Sequence, residues 1–321
     1  MRSIAMTGNG TGTYTRQLYS HSRAAGGRLT FSSSLPFTDS IKQGIGMVSK
    51  RISRLDHIDF SGKELFTPVA YALKRPGKMI RPALVFLGAR LVGDDVEEYV
   101  DLATSAEMLH TASLVHDDII DGDTVRRGAP ALRVKHGQEA ALLTGDALTA
   151  KAVSLAARYG PEAVKTMADA SLSMCAGELI DRESHNGRKS LNVREYLRLA
   201  RLKTGVFMGA CASIAAVCRD NKKSSQLYAF GLSLGVAFQL RDDIIERIDT
   251  SEARENGGAA TGSPNIIDVF ARQFGTSEKD AAARATELNN YFADMAAHIM
   301  EGERARAGIS SYVNFVRIRS S

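Results

Sequence analysis

Cysteine and proline are scarce in this chain, and no two cysteines have CxxC spacing. The three cysteines, Cys175, Cys211 and Cys218, sit among apolar residues. That argues against a disulfide framework and reads as reduced core thiols of an intracellular protein. No stretch alternates apolar and polar residues with period two, so no sheet is expected. The uncharged run from Gly205 to Cys218 is short and rich in Gly, Ala and Ser, so no transmembrane segment is expected. No Lys/Arg block is interleaved with aromatics and the formal charge is a modest +5, so nucleic acid is not an expected partner. A GxxxxGKS/T loop is also missing, which excludes a P-loop nucleotide site.

Residues 1–38 contain no Asp or Glu, carry Arg2, Arg16, Arg23 and Arg28, and are rich in Ser, Thr and Gly. Such a segment cannot bury enough apolar surface to pack by itself. A disordered tail and an organelle targeting segment share this chemistry, and both readings stay open. The expected location is cytoplasmic, or an organelle matrix if the tail is a transit peptide. The fold is expected in residues 39–321 as a single domain.

What is present there is helical. Apolar residues make up 44% of the chain and charged residues 24%, enough to bury a large core. Alanine and leucine abound, and apolar residues recur at three and four. Leu102, Ala106, Leu109 and Ser113 form one stripe leading to Asp117. Leu227, Phe230, Leu234 and Phe238 form another leading to Asp242. Breaks fall at Pro76-Gly77, Gly93-Asp94, Gly122, Gly128 to Pro130, Gly160-Pro161, Asn186-Gly187, Asp220-Asn221, Gly275 and Gly308, with a loop from Asn256 to Pro264. These spacings predict an all-α fold, one antiparallel bundle of roughly ten helices.

Two acidic clusters stand out. Asp117-Asp118-Ile119-Ile120-Asp121 and Asp242-Asp243-Ile244-Ile245-Glu246 each close an apolar run. On a helix Asp117 and Asp121 share a face, as do Asp242 and Glu246. Like charges so placed repel by a few tenths of a kcal/mol in an isolated helix. A cation should offset them, and hard oxygen ligands favour Mg²⁺. Solvated helix faces would explain one such cluster; two matched ones point to a site.

Cations accompany the acids. Lys78 and Arg81 lie in Pro76-Gly77-Lys78-Met79-Ile80-Arg81-Pro82, expected as a turn. Arg126-Arg127-Gly128 follows the first cluster, and Lys203-Thr204 adds a cation and a hydroxyl. Arg offers phosphate a planar fork and Lys a mobile point charge. Carboxylates with separate cations fit one diphosphate held through Mg²⁺ and a second anion held directly.

These residues resemble the trans-isoprenyl diphosphate synthase family, from about Leu73 to Asp249 and more weakly beyond. DDxxD at Asp117 to Asp121 followed by Arg126-Arg127-Gly128 is the most specific match. The segment from Gly77 to Pro82 is similar to the family's GGKxxRP, with Pro76 in place of the first Gly. Glu107 to His110, Gly145-Asp146, Gly177-Glu178, Lys203 to Gly205 and Gly235 to Gln239 follow in family order. The resemblance implies the isoprenoid synthase fold, a helical bundle around a central substrate cavity. It also implies Mg²⁺-dependent condensation of isopentenyl diphosphate with an allylic diphosphate. Metal ligands would come from Asp117, Asp118, Asp121, Asp181, Asp242, Asp243 and Glu246, with about three ions per site. Arg126, Lys203, Thr204 and Gln239 would steady the allylic diphosphate. Lys78, Arg81, His110 and Arg127 would hold isopentenyl diphosphate. Asp117, Asp121, Asp242 and Lys203 would carry the catalysis.

Ala112 and Ser113, one turn before Asp117, are small where short-chain members carry an aromatic floor. Products from geranylgeranyl diphosphate upward are therefore expected, as is association of such products with membranes. A homodimer is implied, with a heteromer as the alternative. One departure stands against full activity. The family carries lysines soon after the second acidic motif, and here none occurs between Ser224 and Glu278; Arg247 or Arg254 could substitute. Two further readings follow: a weakly active or non-catalytic subunit of a heteromeric synthase, and a class I terpene cyclase. The cyclase would not need the second anion pocket that Lys78, Arg81 and His110 supply.

Overall fold

The computed structural model describes residues 38–255, 265–303 and 308–318, without side-chain detail for 248–255. The tail at 1–37 and the loop expected at 256–264 lie outside the described residues. The chain runs through α1 (Asp39–Ser53), α2 (Lys63–Leu73), α3 (Ile80–Val92) and α4 (Val100–Asp121). A short hairpin follows, β1 (Val125–Arg126) against β2 (Ala129–Pro130), then α5 (Leu132–His136), α6 (Gln138–Ala156) and α7 (Pro161–His185). Next, α8 (Val193–Ala200) passes through a π turn (Arg201–Gly205) into α9 (Val206–Cys218). The chain ends with α10 (Ser224–Glu255), α11 (Ile266–Phe274), α12 (Glu278–Ile299) and α13 (Ile309–Val316).

The helices start and stop where the side chains dictate. Asn192 accepts from the Glu195 amide while Glu195 reaches back to the Asn192 amide, a reciprocal cap on α8. Asn265 caps α11 and Ser277 caps α12. Pro161 occupies the first turn of α7, where its missing N–H costs nothing. Gly122 ends α4 with φ 74°, a left-handed conformation that glycine adopts without Cβ strain.

The two apolar stripes point inward as expected. Leu102, Ala106 and Leu109 of α4 are buried, as are Leu227, Phe230 and Leu234 of α10. Helix α9, buried from Val206 to Ala216, lies between α3, α7 and α10. On the other side α4 packs along α6, where the Ser105 hydroxyl donates to the Ala152 carbonyl at 2.8 Å. The acids therefore lie in the last turn of α4 and within the second half of α10, on helices held by this core.

Three expectations are corrected. The sequence offered no sheet, yet a two-stranded hairpin forms, because Arg127 and Gly128 both take positive φ (51° and 73°). That pair is the signature of a primed two-residue hairpin turn. Cys211 is buried and its thiol pushed up to about 12 by desolvation, but Cys175 is exposed. It occupies the outer face of α7, so it is not a core thiol. Two helical stretches, Gln138–Tyr159 and Val193–Cys218, are long and apolar enough to cross a bilayer by length and composition. The second gains its length because the π turn joins α8 to α9, and 72% of its apolar window is buried as core.

Candidate active site

The first acidic cluster occupies the last turn of α4. Its three carboxylates have three different environments. Asp117 is half-buried, and desolvation, with Glu178 and Asp121 nearby, pushes its carboxyl up to about 7 against the pull of Lys203 and Arg126. Asp118 turns the other way and is only 3% exposed. It accepts from Arg126 Nε at 2.6 Å, and Arg126 Nη2 bridges it to Asp123. Asp121 is exposed at the helix end and accepts from Arg182 Nη1 at 2.8 Å.

A second set of charges faces this turn from α7 and the π turn. Lys203 binds Glu178 at 2.8 Å and also Asp181, and these two carboxylates hold its ammonium protonated far above neutrality. The π turn brings the Lys203 backbone hard against α7. A Cβ on Gly177 would lie 2.5 Å from the Lys203 amide nitrogen, so only glycine fits there. The Oε1 atom of Glu178 is buried with no hydrogen-bond partner, an acceptor left open toward the cleft's carboxylates.

On α10 the pattern repeats with different wiring. Asp242 keeps 49% of its side chain open but has protein on most sides, and desolvation raises its carboxyl to about 6. Arg241, Lys78 and Arg81 oppose that rise, and Glu246 adds to it. Asp243 points inward, 8% exposed. The Tyr196 hydroxyl donates to it at 2.6 Å, Gln239 Nε2 at 3.0 Å and the Ile266 amide at 3.3 Å. Burial nevertheless lifts its carboxyl to about 7. Thr204 donates to Gln239 Oε1 at 2.7 Å, completing a chain from the π turn through Gln239 to Asp243.

The anion side is built by α3, α4 and the hairpin. Lys78 lies in the loop before α3, its ammonium 5.1 Å from the Phe315 ring centre. Arg81 does not share a turn with it, as the sequence suggested, but begins α3, because Pro82 is tolerated in a first helical turn. Arg81 sits over Phe207 at 5.4 Å, and its Nε is buried without a partner. His110 Nδ1 is likewise unpartnered; burial and the neighbouring Arg81 and Arg127 hold the imidazole neutral. Arg127 is anchored by donating to the Arg75 carbonyl at 2.5 Å. Glu107, 3% exposed, balances Arg81 and Arg127, and desolvation raises its carboxyl to about 7. An open cleft of about 430 Å³ runs beside this cluster, lined by Tyr71, Arg75, Thr111, Leu114 and Arg127. Neither Asp117 nor Asp242 lines it, so it adjoins the acidic groups without lying between them.

Among the described residues no three carboxylate, imidazole or thiol groups converge tightly enough to cage a metal unaided. The donor set still fits a hard divalent ion. Asp117 and Asp242 are desolvated acids, the second with an ion pair to Arg241 at 3.7 Å, and Glu178 has an unpartnered buried oxygen. The environments of Asp118 and Asp243 fit that role poorly, since each already satisfies bonds from Arg126 or from Tyr196 and Gln239. Thr204 and Gln239 are bonded to one another in the same way. Ala112 is 2% exposed in the main core, whereas Ser113 is half-buried on the Asp117 face. Arg247, the expected substitute for the lysines, is tied to Asp268 and Glu278; the side chain of Arg254 lies outside the description. Sequence reasoning passed over Glu107, Glu178 and Arg182 as site residues. A charged residue amid the apolar face of α4 was the available signal for Glu107; nothing local marks Arg182.

The polyprenyl synthetase family profile matches residues 62–302. The chain belongs to that family. It is 30% identical over 277 residues to geranylgeranyl diphosphate synthase of Methanosarcina mazei, covering 78% of this chain and 84% of that one. Heptaprenyl diphosphate synthase component 2 of Geobacillus stearothermophilus is 30% identical over 262 residues, covering 72% and 82%. The solved geranylgeranyl pyrophosphate synthetase of Geoglobus acetivorans superposes with a TM-score of 0.77 at 26% identity, covering 88% of this chain and all of that one. The family match runs from α2 through α12 and is not confined to the acidic motifs.

Proposed function

We propose that this polyprenyl synthetase is an active prenyltransferase that condenses isopentenyl diphosphate with an allylic diphosphate, giving geranylgeranyl diphosphate or a longer product. The observation that carries this reading is that two desolvated carboxylates, Asp117 of α4 and Asp242 of α10, each have cations nearby: Lys203 and Arg126 beside the first, Arg241, Lys78 and Arg81 beside the second. Asp117, Asp121 and Asp242 would hold Mg²⁺, with Asp181 and Glu246 in support. When bound, the ions supply positive charge to a departing diphosphate. Arg126 and Lys203 would hold that diphosphate as its C–O bond to the allylic carbon breaks. Lys78, Arg81, Arg127 and the neutral His110 would fix isopentenyl diphosphate, so that its double bond attacks the allylic cation. A proton then leaves the new chain for the freed diphosphate. Here the chain's own work is electrostatic stabilisation and positioning.

A second reading has specific support. The lysine-free stretch and the tying down of Arg247 fit a subunit that depends on a partner, as does likeness to a protein named a synthase component. A homodimer is favoured by exposed leucines on α6 and α7. Leu142, Leu143, Leu172 and Leu179 are each more than half exposed there, and a second copy of the chain would cover them.

The test is to incubate the purified chain alone with Mg²⁺, isopentenyl diphosphate and a panel of allylic diphosphates, then size the products. Products longer than farnesyl support the reading, and Ser113→Phe should shorten them, because that side chain shares the Asp117 face. Ala112→Phe should instead cost about 1–3 kcal/mol of stability by overpacking the core. An inert but folded chain that activates a partner synthase would favour the subunit reading.

A further inference from the structure

Arg182 belongs to none of the motifs that mark the family, yet it holds one of the two outward acids of the first cluster. It extends from α7 one residue beyond Asp181, and its Nη1 donates to Asp121 Oδ1 at 2.8 Å. Both side chains are half-buried, 26% and 37% exposed. Lys203, the other cation on this side, is taken by Glu178 and Asp181. Asp121 is therefore not waiting open: a guanidinium donates to its Oδ1. A divalent ion on either carboxylate oxygen would lie a few ångströms from that positive charge and be repelled unless the guanidinium moves away.

We propose that Arg182 is a resident counter-ion of Asp121 that makes metal capture depend on the diphosphate arriving with it. This rests on the metal-binding reading of Asp117 and Asp121 given above. A bare divalent ion must displace the guanidinium and leave it without a partner. A metal diphosphate offers Arg182 an anion in exchange, one suited to the planar fork of an arginine. The same exchange delivers a positive charge to the diphosphate in a chain that carries no lysine between Ser224 and Glu278. Arg182 is thus a positioning residue with two partners, Asp121 in the free protein and the diphosphate in the loaded one.

The experiment titrates Mn²⁺ into the free full-length chain, with and without inorganic pyrophosphate, for wild type, Arg182→Gln, Arg182→Met and Arg182→Lys. Removing one unit charge beside a divalent ion at a partly solvated site is expected to tighten bare Mn²⁺ binding by about tenfold in the Gln and Met variants. Arg182→Lys should stay near wild type. Pyrophosphate should enhance Mn²⁺ binding by a larger factor in wild type than in Arg182→Gln, a loss of coupling that a merely structural brace between α7 and α4 would not produce. Equal Mn²⁺ affinity and equal enhancement in wild type and both neutral variants would overturn the proposal while leaving the metal site in place. If wild type binds no Mn²⁺ even with pyrophosphate, the metal reading fails and Arg182's role fails with it. Helix content measured on each variant separates a local effect from unfolding, and the Gln and Met variants serve as replicates of the same charge removal.

Discussion

The two acidic clusters carry nearly the same letters and do different physical work. On α4 the middle acid, Asp118, is bonded to a charged group, Arg126, which comes from a hairpin turn and is itself part of the site. On α10 the middle acid, Asp243, is bonded to neutral donors from its own helix and two others: Gln239 of α10, Tyr196 of α8 and the amide of Ile266 in α11. The first cluster therefore fixes Arg126 of the hairpin, and the second ties α8, α10 and α11 together. In both, the middle acid serves the scaffold and the first acid, Asp117 or Asp242, is left desolvated with its carboxyl raised.

This difference can be broken by paired substitutions. Asp243→Ala strands several buried donors, and a loss of about 3 kcal/mol or more is expected, read as a large fall in the denaturant midpoint. Asp118→Ala leaves Arg126 its bond to Asp123 at 2.9 Å and access to water. A stability cost of only about 1 kcal/mol is expected there, with a raised KM for the allylic diphosphate because Arg126 loses its aim. Equal stability losses in the two variants would erase the distinction.

The sequence carried much of this. Each expected break that falls in the described residues is found, though those at 54–62 and at Gly137 were not foreseen, and the α4 and α10 stripes were legible from their three-and-four spacing. The pairing of Asp117 with Asp121 followed from helix geometry. What was not legible depends on contacts between distant segments. Letters alone could not tell that Asp243 meets Tyr196, which is 47 positions away, or that Asp121 meets Arg182, which is 61 positions away. The hairpin was hidden because two residues of strand on either side of a turn leave no alternation to detect. Arg247 looked free to replace a lysine until α11 and α12 supplied its partners.

A smaller effect separates the anion side from both acidic clusters. Glu107 is pushed from its ordinary 4.5 to about 7 by burial, with Arg81 and Arg127 pulling the other way. Because the folded value lies above the unfolded one, its contribution to stability is fully present below about 4.5 and is lost as pH rises through about 7. Wild type should therefore lose stability relative to Glu107→Gln between pH 5 and pH 8, whereas below pH 4 the two should run parallel. A constant difference in Tm across that range would show that Glu107 stays ionised throughout, already paired with the arginines.

The central claim is that Asp117 and Asp242, on separate helices, act on one metal-bound diphosphate. The most direct measurement is calorimetric binding of a non-reactive allylic diphosphate analogue to wild type, Asp117→Ala and Asp242→Ala, each with Mg²⁺ and with chelator. The account predicts binding by wild type that requires Mg²⁺, and loss of that Mg²⁺-dependent binding by about 100-fold or more in either variant with helix content unchanged. Tight, Mg²⁺-dependent binding retained by either variant would contradict it.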